Sequence, residues 1–169
     1  MSTSTVRYEL KRDVAAQRIC FSAMFPEREG AWTLQLPTWR PGRYELGNFA
    51  QYVLWVEGMD GQGQRMRLAK QDLHAWRVPN GVRQVEWVFH ADILNAGSTC
   101  VEDDLFYVNP VNCFMYDLER QDLAAEVALT DLTLDPTSES GWALAVAMPW
   151  EERDGVPTMY ARDVQHLMD

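Results

Sequence analysis

Leu36-Pro37-Thr38-Trp39-Arg40-Pro41-Gly42-Arg43-Tyr44-Glu45-Leu46-Gly47-Asn48-Phe49-Ala50-Gln51 is the stretch whose reading decides the fold. It enters as the end of a strand, with Trp32, Leu34 and Leu36 alternating against Thr33, Gln35 and Thr38. Arg40-Pro41-Gly42-Arg43 then reads as a type II turn, because proline pre-sets φ at the second position and glycine accepts the positive φ of the third. Pro37 and Pro41 hold the residues before them extended, Trp39 and Arg40 among them. Tyr44, Glu45, Leu46, Phe49 and Ala50 are compatible with a short helical turn, after which residues 52–56 resume as a strand. Two prolines, a glycine, an aromatic and two arginines in so few residues make a corner of fixed shape between two strands.

The pattern repeats on both sides of that corner. Val6, Tyr8 and Leu10 alternate with Arg7, Glu9 and Lys11, and Ile19, Phe21, Ala23 and Phe25 do the same after a connection at residues 13–17. Residues 26–30 form a charged loop, and residues 58–63 a glycine-rich hairpin loop. Residues 66–78 run to Pro79-Asn80-Gly81, a hairpin signal, and Val85, Trp87 and Phe89 mark the next strand. Residues 91–104 lose the alternation and read as a long loop with room for a short strand inside, containing Glu102-Asp103-Asp104. Residues 106–116 carry Asn109 and Asn112 among aromatics, Leu123, Ala125, Val127 and Leu129 read as a further strand, and residues 142–148 as another. About ten short strands with turn chemistry between them imply an all-β, antiparallel sandwich or saddle over residues 1–169. No segment sustains a helical period, and no repeat or linker interrupts the chain.

The bulk properties agree. A chain of 169 residues is one domain's worth, long enough to bury roughly 70% of its unfolded surface. A hydrophobic content of 47% and seven tryptophans argue for a real core. The net charge of -10 disfavours nucleic acid and anionic membrane, which a polyanion repels. Neither a signal-peptide pattern nor an apolar run long enough to span a bilayer is visible. Three cysteines without a CxxC fit a reducing compartment, so the expected location is soluble and cytoplasmic.

Catalytic chemistry finds little support. A zinc peptidase needs two histidines one helical turn apart with a glutamate on the attacking water, and H-E-x-x-H is absent. His74, His90 and His166 are far apart in sequence, on expected strands or the last segment. Cys100 and Cys113 have no neighbouring histidine, G-x-S-x-G is missing, and residues 58–63 lack the lysine of a phosphate loop. Glu102-Asp103-Asp104 offers calcium ligands, but successive residues on an extended chain face opposite ways, and a solvated acidic loop is the simpler reading. The expected catalytic, cofactor and metal residues on this chain are therefore none. Trp55, Trp76 and Trp87 sit at core positions of strands, whereas Trp39 and Trp150 adjoin prolines at element ends and are the candidates for exposure.

Trp39-Arg40-Pro41-Gly42-Arg43-Tyr44, followed by Asn48-Phe49-Ala50, resembles the Trp-x-Pro-Gly-x-Tyr signature of the glycyl aminopeptidase family. The resemblance extends through the order of two strands before the corner and through Lys70 to Val78 with its Trp76. It continues in the asparagine-bearing residues 107–116 and in residues 160–169, where Ala161, Leu167 and Asp169 match a domain-exit segment, with Val164 where an aromatic is common. It implies the β-rich amino-terminal domain of a zinc metallopeptidase, truncated before its thermolysin-like catalytic domain, which would carry the zinc and release small amino-terminal residues such as glycine or alanine. It further implies that Trp39, Pro41, Gly42 and Tyr44 fix the corner and, with Arg40 and Asn48, face the neighbouring domain. Asp103, Asp104 and Asn109 would lie toward the cleft and its peptide substrate. The alternative from another class is a stand-alone module binding a glycan or peptide through exposed aromatics; a self-contained hydrolase using Glu102 or Asp103 ranks last.

Overall fold

The alternating segments become the strands of a computed structural model that describes residues 5–39, 46–95, 97–139 and 141–169. The expected type II turn, and with it Arg40, Pro41, Gly42, Arg43 and Tyr44, lies outside the described residues. The first strands are β1 (Thr5–Asp13), β2 (Arg18–Met24) and β3 (Trp32–Gln35). Tyr8, Leu10, Ile19, Phe21, Trp32 and Leu34 are buried, as their alternation requires. A 3-10 helix, Phe49–Tyr52, supplies the expected helical turn before β4 (Val53–Met59).

Gly58 and Met59 belong to β4 instead of the glycine-rich loop assigned to them. A Cβ on Gly58 would stand 2.7 Å from Val82 Cγ1, so glycine is there for close packing and not for a turn. The hairpin turn begins at Asp60, whose Oδ1 accepts from the Gln62 and Gln64 amides at 2.9 and 2.8 Å. Residues 65–78 break into β5 (Arg65–Arg67), β6 (Ala69–Lys70) and β7 (Ala75–Val78). Then β8 (Gln84–His90) follows the Pro79-Asn80-Gly81 turn, with Gly81 at φ +84°.

The chain continues through β9 (Cys100–Val101) and β10 (Phe106–Tyr107) into a single helical turn, α1 (Pro110–Cys113). Pro110 at the first helical position lacks an N–H that would be unpaired there anyway, and its carbonyl accepts from Phe114 N at 3.0 Å. Next come β11 (Tyr116–Asp117), β12 (Ala124–Leu129), β13 (Trp150–Arg153), β14 (Val156–Ala161) and a terminal helix α2 (Val164–Met168). Residues 142–148, expected as a strand, pair only through an isolated bridge from Trp142 to Leu134. The hairpin of β13 and β14 takes their place, around Asp154 and Gly155 at φ 53° and 79°.

Eight strands form one sheet in the order β13-β14-β12-β1-β2-β8-β4-β5, four form a second in the order β11-β3-β7-β6, and β9 pairs with β10. The all-β, mainly antiparallel architecture holds, with one departure: β1 and β12 run parallel, Thr5 opposite Ala124 and Leu10 opposite Leu129. Both sheets share one core. Trp87 is fully buried at its centre, stacked on Phe21 at 4.8 Å, and its Nε1 donates to the Cys113 carbonyl at 2.9 Å. Tyr8 packs edge-on against Phe114 and Trp87 and donates its hydroxyl to the Met115 carbonyl at 2.9 Å. These two polar tips hold the segment around α1 against the large sheet. Trp55 is half-buried, less deep than its strand position implied.

The deepest charge is Asp117. Its carboxylate accepts from Arg28 Nη1 at 2.8 and 3.0 Å, from Arg120 Nε at 2.7 Å and from Glu119 N at 3.1 Å. Arg120 also donates to the Pro26 carbonyl at 3.1 Å, so the charged loop before β3 is clamped onto β11.

Candidate interdomain face and groove

The described residues expected at the site fall in four places. Trp39 leaves β3 with 52% of its surface exposed and lines a depression of about 470 Å³ with Val111, Tyr116, Val164, Met168 and Asp169. Helix α2 forms one wall of it. Asp163 caps that helix by accepting from His166 N at 2.7 Å, Leu167 is buried beneath it, and Val164 N donates to the Gln121 carbonyl at 3.0 Å. The expected corner residue and the expected exit segment thus meet, although about 120 residues separate them in sequence. Val111, Tyr116 and Met168 were not foreseen in this role, because nothing in their local spacing connects them to Trp39.

Asn48 lies elsewhere, in a cavity of about 180 Å³ walled by Phe49, Tyr52, His90, Asp92 and Asn112. Asp103 and Asp104 line a third feature, a groove of about 670 Å³ with Phe106, Leu132, Leu134 and Trp142. Asn109 is not with them. It stands at the start of α1, its amide donating to Thr99 Oγ1 at 3.2 Å and its carbonyl accepting from Asn112 N at 3.0 Å. Exposed tryptophans are found at 39 and 150, the two positions beside prolines.

The titratable groups are engaged one by one. His90 Nε2 lies 3.2 Å from Asp92 Oδ2, His166 Nδ1 accepts from Arg162 N at 3.2 Å, and His74 stands just before β7, where burial lowers its pKa against the pull of Asp72. Among the described residues no group of three or more His, Cys, Asp or Glu side chains could hold a metal ion.

The three cysteines are free thiols. Burial raises Cys113 above the usual thiol range, partly offset by a hydrogen bond from Thr99. Burial and the Glu102 carboxylate raise Cys100, and burial with Asp13 raises Cys20. A raised pKa withholds the thiolate that nucleophilic catalysis needs. Cys100 and Cys113 are fully buried whereas Cys20 is half-buried. Titration with a disulfide reagent at pH 8 is expected to label Cys20 in the native chain and all three thiols only after denaturant is added. Rapid native labelling of Cys113 would contradict the packing described.

Two sheets around one aromatic core, with grooves at the rim and an exposed tryptophan beside the terminal helix, place the chain among all-β two-sheet domains. It belongs to the Peptidase M61 N-terminal domain family, which it matches over residues 7–169. Its fold is similar to the crystal structure of an aminopeptidase N family protein from Idiomarina loihiensis, with a TM-score of 0.75 and 14% identity. The match covers 97% of this chain and 28% of that one, so the chain spans well under a third of the length of the structure it resembles. No curated protein matches it in sequence. No helix among the described residues is long and apolar enough to cross a membrane.

Proposed function

We propose that the chain is the non-catalytic amino-terminal domain of a glycyl aminopeptidase-like zinc metallopeptidase. In this reading it braces the catalytic domain and shapes one wall of the substrate cleft. Membership of a peptidase N-terminal domain family supports the reading. The observation that carries it further is the depression in which exposed Trp39 meets α2. A half-exposed tryptophan among Val111, Tyr116 and Met168 is the kind of aromatic anchor that a neighbouring domain covers. The catalytic domain would supply the zinc and the peptide chemistry, in a cytoplasmic setting consistent with three free thiols.

The test has two parts. The coding sequence beyond the codon for Asp169 should encode H-E-x-x-H, and the full-length protein should cleave glycyl and alanyl anilides in a chelator-sensitive way while residues 1–169 alone do not. Trp39→Ala should leave the unfolding free energy of the isolated chain within about 0.5 kcal/mol of the parent, as for an exposed site, and should lower the activity or stability of the full-length protein. A stop codon directly after Asp169 would sink the proposal. Exposure of Trp39 and Trp150 also favours a second reading, a glycan- or peptide-binding module. Saturable quenching of tryptophan fluorescence by an oligosaccharide, lost in Trp39→Ala, would support it.

A further inference from the structure

Residues 142–148 have the side-chain pattern of a strand without its hydrogen bonds. Trp142, Leu144, Val146 and Met148 are half-buried against the core, and Ala143, Ala145 and Ala147 are exposed. None of residues 143–148 makes a hydrogen bond to another described residue; the nearest pairing is Asp135 N to the Trp142 carbonyl at 3.0 Å. Residues 147 and 148 lie in a bend, and the backbone donors and acceptors of residues 143–146 before it must be satisfied by water or by another strand.

Sheet edges usually carry charges or prolines that keep other chains away. The edge strands of the large sheet do so, with Glu151, Glu152 and Arg153 on β13 and Arg65 and Arg67 on β5. Residues 142–148 carry no charge and no proline until Pro149. Ala143 and Ala145 also line the groove of about 670 Å³ whose floor includes Phe106, Leu132 and Leu134 and whose acidic members are Asp103, Asp104 and Glu139.

We propose that residues 142–148 are a strand-addition edge that receives an extended, positively charged segment of another polypeptide. Backbone pairing along the edge would provide the affinity, and the acidic groups of the groove the preference for lysine or arginine. The same charges, on a chain of net charge -10, weigh against a second copy of this chain as the occupant. The groove shares Asp103 and Asp104 with the residues that the peptidase reading puts toward the cleft, but strand addition at residues 142–148 needs no catalytic domain and is tested without one.

Titration of the 169-residue chain with the synthetic peptide acetyl-Lys-Thr-Val-Thr-Val-Lys-amide, followed by amide shifts and hydrogen exchange, tests it. Saturable shifts and slowed exchange are expected at residues 143–148. A peptide with alternate backbone nitrogens methylated, and one with glutamate for both lysines, should each bind at least about tenfold more weakly. Ala145→Lys should weaken binding of the basic peptide by about tenfold and Ala145→Glu should not; because Ala145 is exposed, both variants should keep the parent's unfolding midpoint. Absence of saturable binding, equal binding of the methylated peptide, or protection of residues 143–148 by dimerisation of the chain itself would each overturn the proposal.

Discussion

Replacing Asp117 with alanine is expected to lower the unfolding free energy by about 3–5 kcal/mol, the range for removing one partner of a buried ion pair. The side chain of Asp117 is fully buried, while those of Arg28 and Arg120 are 22% and 25% exposed. Without the carboxylate, both guanidiniums keep their place beside the core and lose their shared acceptor. The clamp from the loop at Pro26 to β11 then has no centre. For a chain of this size such a loss moves the thermal midpoint by roughly 10 °C. Burial alone would raise the carboxyl pKa of Asp117, but the hydrogen bonds from Arg120, Arg28 and Glu119 outweigh it and the net direction is down. A folded-state pKa below the unfolded one means that the stabilisation is present above the unfolded value, about 3.9, and is lost as pH falls through the folded value. Urea titrations of parent and variant should therefore differ most at neutral pH and converge in acid. An undiminished difference at pH 2 would show that the aspartate acts through packing and not through its charge.

Trp87→Ala is the second large effect, about 3–5 kcal/mol for emptying a tryptophan site in a core. The indole is fully buried and contacts β2 through the Phe21 stack, β1 through Tyr8 and the last residue of α1 through the Cys113 carbonyl. Alanine leaves a cavity and an unpaired carbonyl together. Phenylalanine refills most of the volume but not the hydrogen bond, so Trp87→Phe should cost visibly less, with a floor of about 1–3 kcal/mol for the unmet buried carbonyl. Guanidinium midpoints and near-ultraviolet circular dichroism of the two variants provide the check. Equal losses for alanine and phenylalanine would locate the whole effect in the hydrogen bond.

What could be read from the sequence follows the reach of each signal. Alternation is local, so β1, β2, β8 and β12 were legible, and so was the buried face of each. The parallel pairing of β1 with β12 was not, since it depends on which distant strand reaches the sheet centre. Residues 142–148 show that alternation reports which side chains face a core, while ladder formation needs a neighbour at the right distance. The nearby β13–β14 hairpin was missed although Asp154-Gly155 is a strong turn signal, because Glu151, Glu152 and Arg153 show no apolar face. On the candidate face, prolines beside Trp39 and Trp150 correctly marked exposure. The grouping of Trp39 with Val164 and Met168 emerged only from the three-dimensional path of the chain, as did the separation of Asn109 from Asp103 and Asp104.

The parallel pair β1–β12 also has a consequence for how the protein is made. Thr5 begins β1, yet its partner Ala124 is incorporated more than a hundred residues later. Until then the emerging chain holds β1 with one long side unpaired, beside a β2 and β8 already able to form. Closing such a distant contact is slow, because chain entropy must be lost before the pairing returns anything. The nascent amino-terminal two-thirds should thus emerge as a sticky intermediate that a holdase recognises, and the sheet should lock only when β12 clears the ribosome.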